Sequence, residues 1–228
     1  MIFYIKFAKI IKILNYKGKV NLNKLIVKTV LITVIAFVGA LALTFGALSI
    51  FCPRVLSDFF GSLGGESAQA YFMEREYQKS GEFHDLITLV IVLDEDKNPK
   101  DTSKYCEKLL VDSVSEFNEY LKNAGKDKFG TDKSAREYFY SKYAVSELNT
   151  GDIDNAITWA EKCVKLCGYT SSNPYVTFIS KGASLGKTAL TKIKDNLDNS
   201  VKYFFTGQEK QDILADVETI EKIIGEIQ

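Results

Sequence analysis

One histidine, three prolines, one tryptophan and four cysteines are all that this 228-residue chain holds of those types. A single histidine, His84, excludes sites built from several imidazoles. It stands beside Asp85, but no nucleophile is placed at a strained turn to complete a Ser-His-Asp arrangement, so His84 reads as a surface residue near the start of a helix. The cysteines, Cys52, Cys106, Cys163 and Cys167, include no C-x-x-C pair. Cys163 and Cys167 stand four apart on one helical face, and two thiols without a further ligand argue for no metal. They read as small core residues, because free cysteine is among the most buried types. No hairpin signal occurs anywhere in the chain, which points to an all-α class.

Acidic residues are missing from the first 28 positions, where Lys6, Lys9, Lys12, Lys17, Lys19, Lys24 and Lys28 stand alone. The whole chain balances 29 basic against 29 acidic residues, so this leader carries +7 and the remainder −7. An acidic remainder repels phosphate, which disfavours nucleic acid as a partner. Charge of either sign is then absent from Thr29 to Cys52, 24 residues in all. As a helix that run is about 36 Å long, more than the roughly 30 Å hydrocarbon core of a bilayer.

The expected partner of Thr29–Cys52 is therefore the lipid bilayer, with Lys28 and Arg54 as interfacial anchors. A cleaved export signal is the competing reading. It calls for a shorter apolar region and a small-x-small site, and Phe51 occupies the place before Cys52 where a lipoprotein signal wants a small residue. An uncleaved signal anchor fits better. Basic flanks stay in the cytoplasm, so the expected topology is a single-pass protein of the cell membrane, N-terminus cytoplasmic and C-terminal domain extracytoplasmic. Within the leader, Lys6, Lys9 and Lys12 among apolar residues suggest an interfacial amphipathic helix, against a disordered basic tail. Lysine supplies 26 of the 29 basic residues, a bias that fits an AT-rich bacterial genome.

Beyond a juxtamembrane linker, 53–66, the sequence is a run of amphipathic patterns over 67–228. Helices are expected over Ser67–Ser80 and Glu82–Asp94, with Gly81 between. Cys106, Leu109, Leu110, Val114, Phe117 and Leu121 mark one long helix from Thr102 to Asn123, followed by a loop, Gly125–Asp132. Ser134–Asn149 is the next helix. After it, Ile153, Ala156, Ile157, Ala160, Cys163, Val164 and Cys167 recur at three and four along GDIDNAITWAEKCVKL. Asn173 is a candidate N-cap with Pro174 at the first helical position. Leu190, Ile193, Leu197, Val201 and Phe204 mark a further helix, and Ile213, Val217, Ile220, Ile224 and Ile227 the last.

Gly151, Asp152, Ala156, Ala160 and Cys163, with Tyr140, Tyr143 and Ala144 upstream, resemble the glycine turn and small packing positions of a tetratricopeptide repeat. A second, weaker copy has Tyr77, Gly81, Leu86, Val90 and Leu93, and the two glycines are 70 residues apart, close to two periods of about 34. The middle unit, Thr102–Asn123, has helix without motif. The likeness covers about 60 residues and implies helical hairpins with a concave surface for protein or peptide binding. A helical bundle that shares only the helix-turn-helix packing is the competing architecture.

Two stretches imitate nucleotide sites. SKGASLGKTAL ends in Gly186, Lys187 and Thr188, but Gly182 is one residue too near them, so a phosphate loop would be one amide donor short. Leu86–Asp96 imitates the apolar strand that ends in a magnesium-binding acid, yet it precedes the lysine and no alternating strand and helix units come after it. Asp94, Glu95 and Asp96 read as helix-end charges. Tyr138, Phe139, Tyr140 and Tyr143 read first as core and second as a binding ridge. These patterns predict a membrane-anchored scaffold or accessory subunit that binds other proteins or peptides, without catalysis, cofactor or metal. The alternative is a nucleotide-binding enzyme using Gly186, Lys187 and Thr188.

Overall fold

The computed structural model describes residues 22–123, 129–203 and 205–227, so residues 1–21, with the interfacial helix expected around Lys6, Lys9 and Lys12, residues 124–128, Phe204 and Gln228 lie outside the described residues. Two compact units divide the chain, 1–56 and 57–228. In the first, α1 (Leu22–Phe51) is one continuous helix, about 45 Å long at the standard rise. Its apolar portion runs from Leu25 to Phe51, starting before Thr29 because Leu25, Ile26 and Val27 extend the greasy run past Lys28. Mean hydropathy there reaches 2.5 and its most apolar window has no buried residue. This helix is long and apolar enough to serve as a membrane anchor or signal sequence. Its threonines satisfy their own hydroxyls, Thr33 Oγ1 donating to Thr29 O and Thr44 Oγ1 to Ala40 O, each at 2.9 Å. Such back-bonding removes the cost of carrying a hydroxyl into hydrocarbon.

Every regular element among the described residues is helical. The stretch expected to be a linker contains α2 (Pro53–Ser62), which proline can begin because its missing N–H falls where helices leave donors unused anyway. Next come α3 (Glu66–Ser80), α4 (Phe83–Val92), α5 (Pro99–Glu107), α6 (Val114–Asn123), α7 (Asp132–Thr150), α8 (Ile153–Cys167), α9 (Pro174–Lys181), α10 (Gly186–Tyr203) and α11 (Gly207–Glu226). Three pairs of consecutive helices, α3 with α4, α7 with α8 and α10 with α11, pack on each other, the first two turning at Gly81 and Gly151. Helix α7 is the hub, packed by α5, α6, α8 and α9.

The α7–α8 hairpin shows how the sequence builds the fold. Gly151 ends α7 at φ 93°, a left-handed conformation that costs a side-chain-bearing residue about 1–2 kcal/mol. Asp152 then caps α8, its Oδ1 accepting from the Asn155 amide at 3.0 Å. Ala156, Ala160 and Cys163 are fully buried and let the helix backbones approach. The approach is close enough for the thiols of Cys163 and Cys167 to reach the carbonyl oxygens of Glu137 and Lys133 at 3.8 and 3.6 Å. Trp159 packs between Tyr140 and Tyr143, ring centroids 5.3 and 4.8 Å away. Asn173 and Pro174 start α9 as expected, with the Asn173 carboxamide oxygen accepting from the Tyr175 amide at 2.8 Å.

The single helix expected over Thr102–Asn123 is broken. Lys108–Asp112 forms a π-helical turn, in which the Ser113 amide donates to Lys108 O, five residues back, at 3.0 Å. The added residue rotates the downstream side chains by about one position around the helix. Val114 therefore faces solvent at 50% exposure, while Phe117 and Leu121 recover the core at 1% and 0%.

Candidate functional site

A cleft of about 320 Å³ opens along one face of α7. Ser134, Tyr138 and Ser141 lie at intervals of four and three, the spacing that stacks side chains on one side of a helix. Glu137 and Lys142 of α7, Glu95 after α4, Phe129 before α7 and Ser172 before α9 complete the lining. The Phe129 ring packs on Tyr138 at 5.1 Å between centroids. Of the aromatic cluster read from the sequence, Phe139, Tyr140 and Tyr143 are buried, and Tyr138 alone lines the cleft.

Lys142 is the unusual group. Its side chain is 7% exposed and its ammonium pairs with Glu95 Oε2 at 3.0 Å. It also donates to the Tyr138 hydroxyl at 3.4 Å, and that hydroxyl donates to Ile91 O at 3.4 Å. Desolvation pulls the ammonium pKa down, but the Tyr138 phenol and the Glu95 carboxylate outweigh it, and the net direction is up. Nothing in the sequence singled this lysine out. The available signal is its position four after Tyr138 within an aromatic-rich stretch, where a charged side chain on a buried helix needs a partner.

A group raised in pKa on folding contributes stability that is complete below its unfolded value and is lost as pH climbs through its folded one. The urea midpoint should therefore show no Lys142 contribution to pH dependence through neutrality, and should fall above the ordinary lysine value of 10.5. Lys142→Met should remove part of that alkaline fall. An unchanged slope above that pH would show that the pair contributes nothing.

The Asp94 and Asp96 carboxylates of the acidic run hold the local structure together. Asp94 Oδ1 accepts from the amides of Asp96 and Lys97 at 2.9 and 3.0 Å, closing the turn after α4. Asn149 donates to Glu95 O at 2.7 Å and to Asp96 Oδ1 at 3.0 Å, and Lys181 pairs with Asp96 at 2.9 Å. The Lys181 ammonium holds the Asp96 carboxyl below its usual range. These bonds fix the wall of the cleft against α7 and α9.

Elsewhere the sequence candidates fall apart from one another. Tyr175–Ile179, which precedes the phosphate-loop-like stretch, is inside α9, and Gly182–Leu185 forms a single 3-10 turn. Lys187 and Thr188 are exposed at the start of α10. Leu86–Val92 is helix. His84 is exposed, while its neighbour Asp85 is buried and accepts from Ser80 Oγ at 2.6 Å across the Gly81 turn. Cys106, Cys163 and Cys167 are buried free thiols. Burial pushes the Cys106 thiol up, and the Cys167 sulfur together with burial does the same to Cys163, so neither is an activated nucleophile. Among the described residues no three His, Cys, Asp or Glu side chains gather as a metal cluster.

What remains as a site is a cleft rich in hydroxyls, with two carboxylates and one ammonium already paired. Comparison with protein-family models, with curated proteins and with solved structures finds no match to this chain. Its class rests on its own architecture: among the described residues every regular element is helical, and one apolar helix near the N-terminus is long enough to cross a membrane.

Proposed function

We propose that this chain is a membrane-anchored binding module, a scaffold or accessory subunit at a membrane complex. It stands with its N-terminus in the cytoplasm and its helical unit on the opposite side. The unit is built from tetratricopeptide-like hairpins and takes a protein or peptide segment, not nucleic acid and not a reacting small molecule. Support for repeat-like hairpins comes from Gly81 and Gly151, both left-handed at helix ends, with Leu86 and Val90 in one hairpin and Ala156 and Ala160 in the other buried behind them. Support for the orientation comes from the seven lysines that precede α1's uncharged run.

The observation that carries the binding reading is the cleft on α7, lined by the hydroxyl-bearing Ser134, Tyr138, Ser141 and Ser172 together with Glu95 and Glu137. A peptide selection against the full chain in lipid nanodiscs should enrich a linear motif with at least one basic side chain. Ser141→Arg, which fills the cleft and brings a like charge to that ligand, should weaken binding by about tenfold or more, roughly 1.4 kcal/mol. Lys187→Ala should leave it unchanged. Equal affinity in Ser141→Arg, or ATP binding that disappears in Lys187→Ala, would overturn the reading.

A further inference from the structure

The end of the helical unit nearest α1 in the chain carries an exposed aromatic ladder. Phe59 meets Phe60 at 5.4 Å between centroids, Phe60 stacks on Phe72 at 5.6 Å, and Phe72 meets Tyr71 at 5.1 Å. The middle rings tie α2 to α3, a junction strengthened by the Ser57 hydroxyl donating to Gln69 O at 3.0 Å. Phe59 is 46% exposed and Tyr71 53%, with the Arg75 guanidinium 5.9 Å from the Tyr71 ring centroid, and Leu63, in the turn after α2, is 67% exposed. Asp58, beside Phe59 on the next face of α2, is exposed and charged.

Charge is sparse along this stretch of sequence and returns after it, with Arg75 reaching back over Tyr71. Residues 55–73 hold two charged side chains, Asp58 and Glu66, whereas 74–82 hold five, Glu74, Arg75, Glu76, Lys79 and Glu82. Chain length also limits where the ladder can be. Phe59 comes eight positions after Phe51, the last residue of α1, so the two lie within roughly 28 Å whatever the path between them. Exposed aromatic rings close to the end of a span, in a stretch depleted of charge, have the chemistry of the headgroup layer, where ring bodies sit among acyl chains and hydroxyls reach water.

We propose that Phe59, Leu63 and Tyr71 are a docking surface for the headgroup layer of the membrane that α1 enters. This rests on the reading of α1 as a span. The α2–α3 junction then meets the headgroup layer through these three side chains. Water would otherwise meet three large, mainly apolar side chains, a cost that insertion into the interface removes.

Nitroxide labels on the full chain test this in vesicles of phosphatidylcholine and phosphatidylglycerol. Cys52→Ser removes the exposed thiol, the other three cysteines being buried. Single variants Phe59→Cys, Leu63→Cys, Tyr71→Cys, Asp58→Cys and Leu43→Cys then carry the label. Labels at 59, 63 and 71 should collide with oxygen several-fold more, relative to a water-soluble nickel complex, than the label at 58. The label at 43, in α1, should read hydrocarbon. Leu63 makes no ring contact in the ladder, so its variant keeps the test decisive if losing a ring disturbs the junction. Water-like ratios at 59, 63 and 71 with a hydrocarbon reading at 43 would overturn the docking and leave the anchor standing. A water-like reading at 43 would overturn both. Protection at 59 accompanied by spin–spin coupling that grows with protein-to-lipid ratio would assign the surface to a second copy of the chain and overturn the proposal.

Discussion

Phe139→Ala should lower the stability of the helical unit by about 3–5 kcal/mol, the usual cost of deleting a buried ring. Phe139 is fully buried, with its ring centroid 5.4 Å from Phe117, 5.5 Å from Phe129 and 5.1 Å from Tyr138. Phe117 is on α6 and Tyr138 on α7, so the ring is where the helix after the π turn meets the hub. Its removal leaves a cavity lined by the rings of Phe117, Phe129 and Tyr138. For a unit of this length the melting temperature should drop by roughly 10 °C. Val114→Ala supplies the contrast. The expected long helix would have buried Val114, but the π turn exposes it, so the change should stay within about 0.5 kcal/mol. Urea unfolding of both variants checks the pair of values. A costly Val114→Ala together with a mild Phe139→Ala would mean that the helix runs unbroken and the core is registered differently.

Arginine at both Ile35 and Val38 should release the chain from the membrane. These residues are near the middle of the apolar stretch Leu25–Phe51, one turn apart on the same side, and are 62% and 57% exposed. Each arginine costs about 2.5–3.5 kcal/mol at the centre of a spanning helix on the insertion scale, so the pair costs roughly 6 kcal/mol, more than a ten-thousandfold change in partition. The wild-type chain should stay in the membrane pellet after carbonate washing, and the Ile35→Arg, Val38→Arg chain should move to the supernatant. Ile35→Val with Val38→Ile should behave as wild type. A wild-type chain that carbonate removes would contradict the anchor.

The elements legible in the sequence are those whose signal is local. α1 needs only composition, and the α7–α8 hairpin needs only Gly151, Asp152 and the three-and-four spacing of Ala156, Ala160 and Cys163. Asn173 and Pro174 announce α9 because a cap and a fixed φ act within two residues. The π turn escaped because Leu109, Leu110 and Val114 continue an apolar pattern that fits an unbroken helix. The inserted residue shows only in a five-residue backbone bond. Helix α2 escaped because its glycine and serines resemble a linker while its order comes from Phe60 and Ser57 reaching α3. The cleft was harder still. Glu95 and Lys142 are 47 positions apart in the chain, and no periodicity within either segment says that a carboxylate after α4 meets an ammonium on α7.

The central claim is that lysines on one side and a folded acidic helical unit on the other are separated by one spanning helix. Fusion of alkaline phosphatase, which folds to its active form only outside the cytosol, behind the last residue tests it directly. The fusion should be active, and a β-galactosidase fusion at the same point should be inactive. Phosphatase silence with full galactosidase activity would contradict the topology.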